Sequence, residues 1–254
     1  MGRIHRVRCA TLIDCYSVFL NSNLAGLPCV PICMAPVLPR PHKDRGMEGM
    51  VARWYTSNTG KTLDEFAKLA RRIAGELQPG STVLEVAPGP GYFCIELAKL
   101  GAYSITGLDI SHTFVEIARQ KAAEASVHVE FRQGNASSMP FGDNTFDFLL
   151  CRAAFKNFGQ PVGALQEMRR VLKPGGRGLI IDLRKDASME SINHAVDAIG
   201  LSAVNRMFTK LTFRFFLLKT AYIRHQFQHM LAQANFRGVD IQEADIGFEI
   251  SVTK

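Results

Sequence analysis

Residues 83–91, Val83-Leu84-Glu85-Val86-Ala87-Pro88-Gly89-Pro90-Gly91, run from an apolar stretch into a turn with two glycines. A helix-like segment follows directly. Glycine lets backbone approach a ligand closely and adopt positive φ. The free N–H groups that open a helix favour an anion. This stretch therefore suits a ligand bearing a phosphate or a carboxylate. Metal chemistry has less to work with. No Cys/His array has zinc-site spacing, and His225 and His229, spaced i, i+4, lack the glutamate of an H-E-x-x-H pattern. They read as solvent-facing, and no metal is expected.

Two familiar loops fail the spacing test. The dinucleotide fingerprint G-x-G-x-x-G, begun at Gly89, puts Cys94 at its third glycine; begun at Ala87, it reads Ala87, Gly89, Tyr92. Both lose the residue needed for close helix–strand packing. A P-loop is excluded because no Gly-Lys-Ser/Thr follows. What remains, acidic-x-G/A-x-G-x-G, resembles motif I of the class I S-adenosylmethionine-dependent methyltransferases, with Ala87 in the place of the first glycine. Other segments extend the resemblance in the right order. Gly107-Leu108-Asp109-Ile110-Ser111 is similar to the second motif, and Gln133-Gly134-Asn135-Ala136-Ser137-Ser138-Met139-Pro140-Phe141 to the third. Phe146–Arg152 is similar to the fourth strand, and Arg169-Arg170-Val171-Leu172-Lys173-Pro174-Gly175-Gly176 to the turn before the fifth.

The resemblance implies S-adenosyl-L-methionine as cofactor. It places Glu85, Ala87, Pro88, Gly89 and Gly91 in the cofactor loop, Asp109 on the ribose hydroxyls with Ile110 beside it, and Asn135 with Ala136 at the adenine. Asn135 stands where the family carries an acid; its amide oxygen still accepts a hydrogen bond. Arg152 ends the strand that faces the cofactor, and Tyr55 in Arg53-Trp54-Tyr55 is expected to touch it from the other side. The nearest group is the quinone-biosynthesis-like small-molecule methyltransferases.

The elements that must position these residues alternate. Thr62-Leu63-Asp64-Glu65 reads as a capping box, with Leu63, Phe66, Leu69, Ala70, Ile73 and Leu77 at helical spacing behind it. Strands are expected at 82–86, 104–108, 127–132, 146–151 and 178–183. Helices are expected at 91–100, at 113–125 with Thr113 and Glu116 as a capping box, and from Pro161 to 172. A long helical region at 188–235 precedes two strands at 239–244 and 248–253, which form a hairpin. The expected fold is α/β: a Rossmann-like, doubly wound, mostly parallel seven-stranded sheet with an antiparallel C-terminal hairpin and a helical lid.

Residues 188–229 carry Met207-Phe208, Leu211, Phe213 and Phe215-Phe216-Leu217-Leu218, interleaved with Arg206, Lys210, Arg214, Lys219 and Arg224. As a lid this selects a hydrophobic or aromatic acceptor; as a surface helix it makes peripheral membrane contact. His194 is a weak candidate base in this region. The expected reaction is methyl transfer to a small acceptor. The rival readings are a cofactor-binding regulatory or partner protein without transfer chemistry, and an NAD-linked oxidoreductase, which the glycine spacing disfavours.

Composition sets the remaining bounds. The net charge of +7 is concentrated in residues 1–46, where six basic residues face only Asp14 and Asp44. The remainder is mildly basic, so no nucleic-acid partner is expected. Residues 1–46 are Pro- and Cys-rich without a period and read as a poorly ordered extension, with targeting an open alternative. The methyltransferase domain is expected over 47–254. Cys94 and Cys151 sit in apolar segments as small buried hydrophobes, and a reduced, cytoplasmic setting is expected. No apolar run is long and uninterrupted enough to span a bilayer. The sequence carries no signal for oligomeric state.

Overall fold

The computed structural model describes residues 46–59, 63–198, 207, 210 and 217–254. The extension 1–45, Thr62 of the capping box and most of 199–216 of the lid lie outside the described residues.

The chain alternates helix and strand through its first half: α1 Gly49–Thr59, α2 Leu63–Ala74, β1 Thr82–Val86, α3 Tyr92–Ala98, β2 Ser104–Asp109, α4 His112–Glu124 and β3 Glu130–Gln133. The second half continues with β4 Phe146–Arg152, α5 Pro161–Val171, β5 Leu172–Leu183, α6 Met189–Ala198, α7 Arg224–Ala234, β6 Gly238–Glu243 and β7 Gly247–Thr253. The sheet order is β3-β2-β1-β4-β5-β7-β6. The first five strands are parallel; β7 pairs antiparallel with both β5 and β6. The expected C-terminal hairpin is therefore present, with β6 at the edge.

Val83, Leu84 and Val86 of β1 and Leu149, Leu150 and Cys151 of β4 are fully covered, because helices pack on both faces. On one face Phe66, Ala70 and Ile73 of α2, Phe93 and Leu97 of α3 and Val115 and Ala118 of α4 form a core with β1 and β2. On the other, Leu165 and Met168 of α5 and Phe227, Met230 and Leu231 of α7 pack with Leu149, Ile180, Phe248 and Ile250. Strand order reverses at β1, with β2 on one side and β4 on the other. In such sheets the crevice beyond the carboxyl ends at that point is the binding place.

Several boundaries differ from the expectations. Helix α4 is capped by Ser111, whose Oγ accepts the Phe114 amide at 3.0 Å, and not by Thr113. Thr113 is engaged elsewhere: its hydroxyl donates to Glu48 Oε2 and accepts the Gly49 amide, pinning α1 to the start of α4. Strand β3 begins at Glu130 rather than 127. Strand β5 begins at Leu172, because the Lys173–Gly176 turn is folded into it with a shift of register. The helical region expected over 188–235 is interrupted: Ala221 and Ile223 are extended, and Tyr222 forms a bridge with Arg184. Among the described residues no helix is long and apolar enough to cross a membrane.

Candidate active site

A cavity of about 420 Å³ opens beyond the carboxyl ends of β1, β2 and β4. Glu85, Ala87, Pro88, Gly89, Asp109, Ile110, Asn135, Ala136, Arg152 and Tyr55 all line it. The motifs carried by β1, β2 and β4, from Glu85 to Arg152, are thus brought to one crevice by the parallel register of β1 with β2 and β4.

The β1–α3 turn holds three residues with positive φ: Ala87 at 57°, Gly89 at 55° and Gly91 at 77°. Ala87 keeps the left-handed conformation that a glycine would adopt without strain, and its amide is fixed to Leu108 O at 2.7 Å. The glycine-to-alanine departure in motif I leaves the turn intact. Gly89 has nothing within 4 Å of where a Cβ would stand, so its backbone faces open space in the crevice. Gly91 is different. It is buried, does not line the cavity, and a Cβ on it would lie 2.7 Å from Phe131 Cζ and 3.0 Å from Ala118 Cβ. The structure packs Gly91 against α4 and β3 and does not bring it to the cavity wall with the other residues of its motif.

Asp109 ends β2. Its Oδ2 accepts the Gly89 amide and its Oδ1 the Ser111 amide, both at 2.9 Å. Each oxygen keeps a further lone pair, which suits a vicinal diol. Burial pushes its pKa up, opposed by those two amides. Asn135 lines the cavity while its Oδ1 accepts the Ser137 amide at 2.8 Å, closing a turn; one lone pair of that oxygen remains. The Arg152 guanidinium lies 4.4 Å over the Phe66 ring, and among the described residues none accepts a hydrogen bond from it. Tyr55 meets Phe114 edge-on at 5.7 Å.

His194 is exposed on α6 and does not line the cavity, so the candidate base is not brought to the site. His112 lies exposed beside Glu116 at 3.7 Å. Leu217 of the expected lid also lines the cavity, and so do Phe66, Phe114, Ala153, Ala154, Asn157, Phe158 and Thr220, which sequence reasoning does not single out as site residues. A strand end followed by small and aromatic residues, Ala153-Ala154-Phe155, was the available signal for part of it.

Glu85 is buried, and burial drives its pKa up to about 7. The Cys94 thiol, which donates to its Oε2 at 2.9 Å, and the Arg152 charge pull it down, while Asp109 pushes it up. The ordinary value is 4.5. Below that pH Glu85 is neutral in both the folded and unfolded chain and costs nothing. Between 4.5 and about 7 the unfolded chain ionises first, so the folded state loses stability. Above the folded value the loss is complete, on the order of 3 kcal/mol. Glu85→Gln is therefore expected to exceed the parent's stability at pH 8 and to match it at pH 4. Urea midpoints at the two pH values check this; an equal difference at both would contradict it.

A family model for a methyltransferase domain matches residues 84–180. The demethylmenaquinone methyltransferase of Chlorobaculum parvum is 32% identical over 178 residues, covering 67% of this chain and 71% of the relative. The chain belongs to the class I S-adenosylmethionine-dependent methyltransferases. Its cofactor is S-adenosyl-L-methionine. The demethylmenaquinone methyltransferase of Listeria monocytogenes is 39% identical over 109 residues, which is 42% of this methyltransferase and 46% of that one. The chain thus spans under half of the Listeria relative's length. A solved structure described as an S-adenosyl-L-methionine-dependent methyltransferase of Methanococcus maripaludis superposes with a TM-score of 0.67 at 25% identity. It covers 82% of this methyltransferase and 97% of its own chain.

Proposed function

We propose that this methyltransferase transfers the methyl group to a small, apolar, ring-bearing acceptor of the quinol or phenol class. The observation that carries the reading is the character of the cavity's second wall. Beyond the β1 and β2 loops the lining turns aromatic and aliphatic, with Tyr55, Phe66, Phe158 and Leu217, and among the described residues no histidine lines it. Such a wall favours a flat apolar ring. The acceptor named for the Chlorobaculum and Listeria relatives is of this class.

In this reading Asp109 holds the ribose hydroxyls, Gly89 and its neighbours Ala87 and Pro88 follow the cofactor's backbone-facing side, and Ile110, Asn135 and Ala136 take the adenine. Glu85 and the Arg152 guanidinium face the amino-acid end, where opposite charges are needed. Tyr55 closes the site from α1. The bound cofactor supplies an electrophilic methyl on a sulfonium. The chain's own part is alignment and exclusion of water: the buried walls keep the acceptor in line with the methyl, and apolar surroundings suit a step in which charge is dispersed. A quinol or phenol needs only one proton removed.

The test is incubation with deuteromethyl-labelled S-adenosylmethionine and a panel of short-chain demethylmenaquinols, benzoquinols and simple phenols, read by mass spectrometry. Labelled methyl is expected on a ring carbon or oxygen of a quinol. Cofactor binding with no labelled product across that panel would overturn the acceptor class.

A further inference from the structure

The far wall of the cavity is the segment after β4, through Ala153, Ala154, Asn157 and Phe158. Its shape is set by a side chain that does not face the cavity. Lys156 and Asp182 form an ion pair at 2.9 Å, with side chains 5% and 1% exposed. The contacts are concentrated on one carboxylate. Asp182 Oδ2 accepts the Lys156 backbone amide at 2.7 Å, while Oδ1 accepts its ammonium at 2.9 Å and the Leu183 amide at 2.7 Å. The same ammonium donates to the carbonyl of Ala153 at 2.5 Å.

Ala153 holds φ at 56°, a conformation an alanine adopts only when its surroundings impose it. Its amide is tied to Ile181 O at 2.7 Å, and its carbonyl to Lys156. The turn from Ala153 to Lys156 is therefore wrapped around the Asp182 carboxylate at the end of β5, with Phe155 inserted among Phe158, Tyr222 and Phe227 as a second anchor. A buried ion pair contributes little net stability compared with apolar residues of similar size. Stability is thus a poor reason for placing two charges here. What the pair fixes is the backbone that presents Ala153, Ala154, Asn157 and Phe158 to the cavity.

We propose that Lys156 and Asp182 are positioning residues for the acceptor. They hold the 153–158 wall in register with a cofactor whose own contacts come from β1, β2, the 134–136 turn, Tyr55 and Arg152 at the end of β4. This rests on the assignment of sides made above. The pair's hydrogen bonds run to Ala153 O and to the Lys156 and Leu183 amides, so its loss is expected to separate acceptor alignment from cofactor binding.

Lys156→Met alone leaves a buried carboxylate uncompensated and risks unfolding. Lys156→Met combined with Asp182→Asn removes both charges and keeps an oxygen to accept the residue-156 amide. The double variant is expected to bind S-adenosylhomocysteine within threefold of the parent. Its turnover of a demethylmenaquinol is expected to fall on the order of 30–100-fold, the scale of a misplacement near 1 Å. Amide exchange at residues 153–158 is expected to speed up at least tenfold, with residues 85–91 unchanged. Parental turnover and parental exchange in the folded double variant would overturn the proposal, as would a matching loss of S-adenosylhomocysteine affinity. If the parent itself methylates no quinol or phenol, the acceptor class has failed. The pair is then judged on exchange and on S-adenosylhomocysteine affinity: unchanged protection at 153–158 overturns it, and accelerated exchange with intact affinity supports it.

Discussion

Asp109→Ala is expected to weaken S-adenosylmethionine binding by roughly 1.5–3 kcal/mol, about 10–150-fold in dissociation constant. The cause is local. Asp109 is buried at the end of β2, lines the cavity, and its two oxygens already hold the Gly89 and Ser111 amides. Alanine removes the acceptors for the ribose hydroxyls and releases Gly89, whose carbonyl and amide shape the loop. Part of the loss is therefore loop geometry. Asp109→Asn divides the two: it keeps one acceptor oxygen, faces one of the two amides with an NH2 group, and is expected to fall between parent and alanine. Calorimetric titration of each folded variant checks this. An unchanged affinity in Asp109→Ala would show that the ribose is held elsewhere.

The second large effect separates the two glycines of the β1–α3 turn. Gly91→Ala is expected to destabilise the fold by roughly 2–4 kcal/mol, because an alanine at φ 77° is strained and its Cβ enters the space of Phe131 and Ala118. Gly89→Ala meets no atom within 4 Å and is expected to cost about 1 kcal/mol of stability from conformation alone. Its methyl group would instead stand in the crevice and weaken the cofactor. Denaturant midpoints and cofactor titrations on both variants give a crossed pattern: stability lost at Gly91, affinity lost at Gly89. The same pattern for both would mean that the two glycines do one job.

The residues gathered at the crevice were legible in the sequence because their signals are local. Glu85 to Gly89 lie in one turn, Asp109 closes one strand and Asn135 one loop. The fold was legible for the same reason, since mostly apolar strands such as β1 and β4 alternate in order with helices of regular apolar spacing. What stayed hidden is what depends on distant parts of the chain. Lys156 meets Asp182 across 26 residues, and nothing in the local text at either position marks a buried pair. Ser111 outcompetes Thr113 as a cap because Glu48, far upstream, takes the Thr113 hydroxyl. The Arg170–Gly176 segment, legible as a family turn, serves the opposite end of the sheet: Lys173 binds Asp147 at 2.8 Å, Asp147 binds Thr82, and Arg170 gathers Glu167, Asp143 and the Met139 and Phe141 carbonyls. It is a sign of the family without being a contact to the cofactor.

The most direct measurement is a crystal structure of the protein with S-adenosylhomocysteine. The ribose hydroxyls are expected on the Asp109 carboxylate, the adenine between Ile110 and Ala136 near Asn135, and the amino-acid end toward Glu85 and Arg152, with Phe158 and Leu217 left facing an open acceptor space. A nucleoside bound with its ribose away from Asp109, or its amino-acid end against the 153–158 wall, would contradict the assignment of the site.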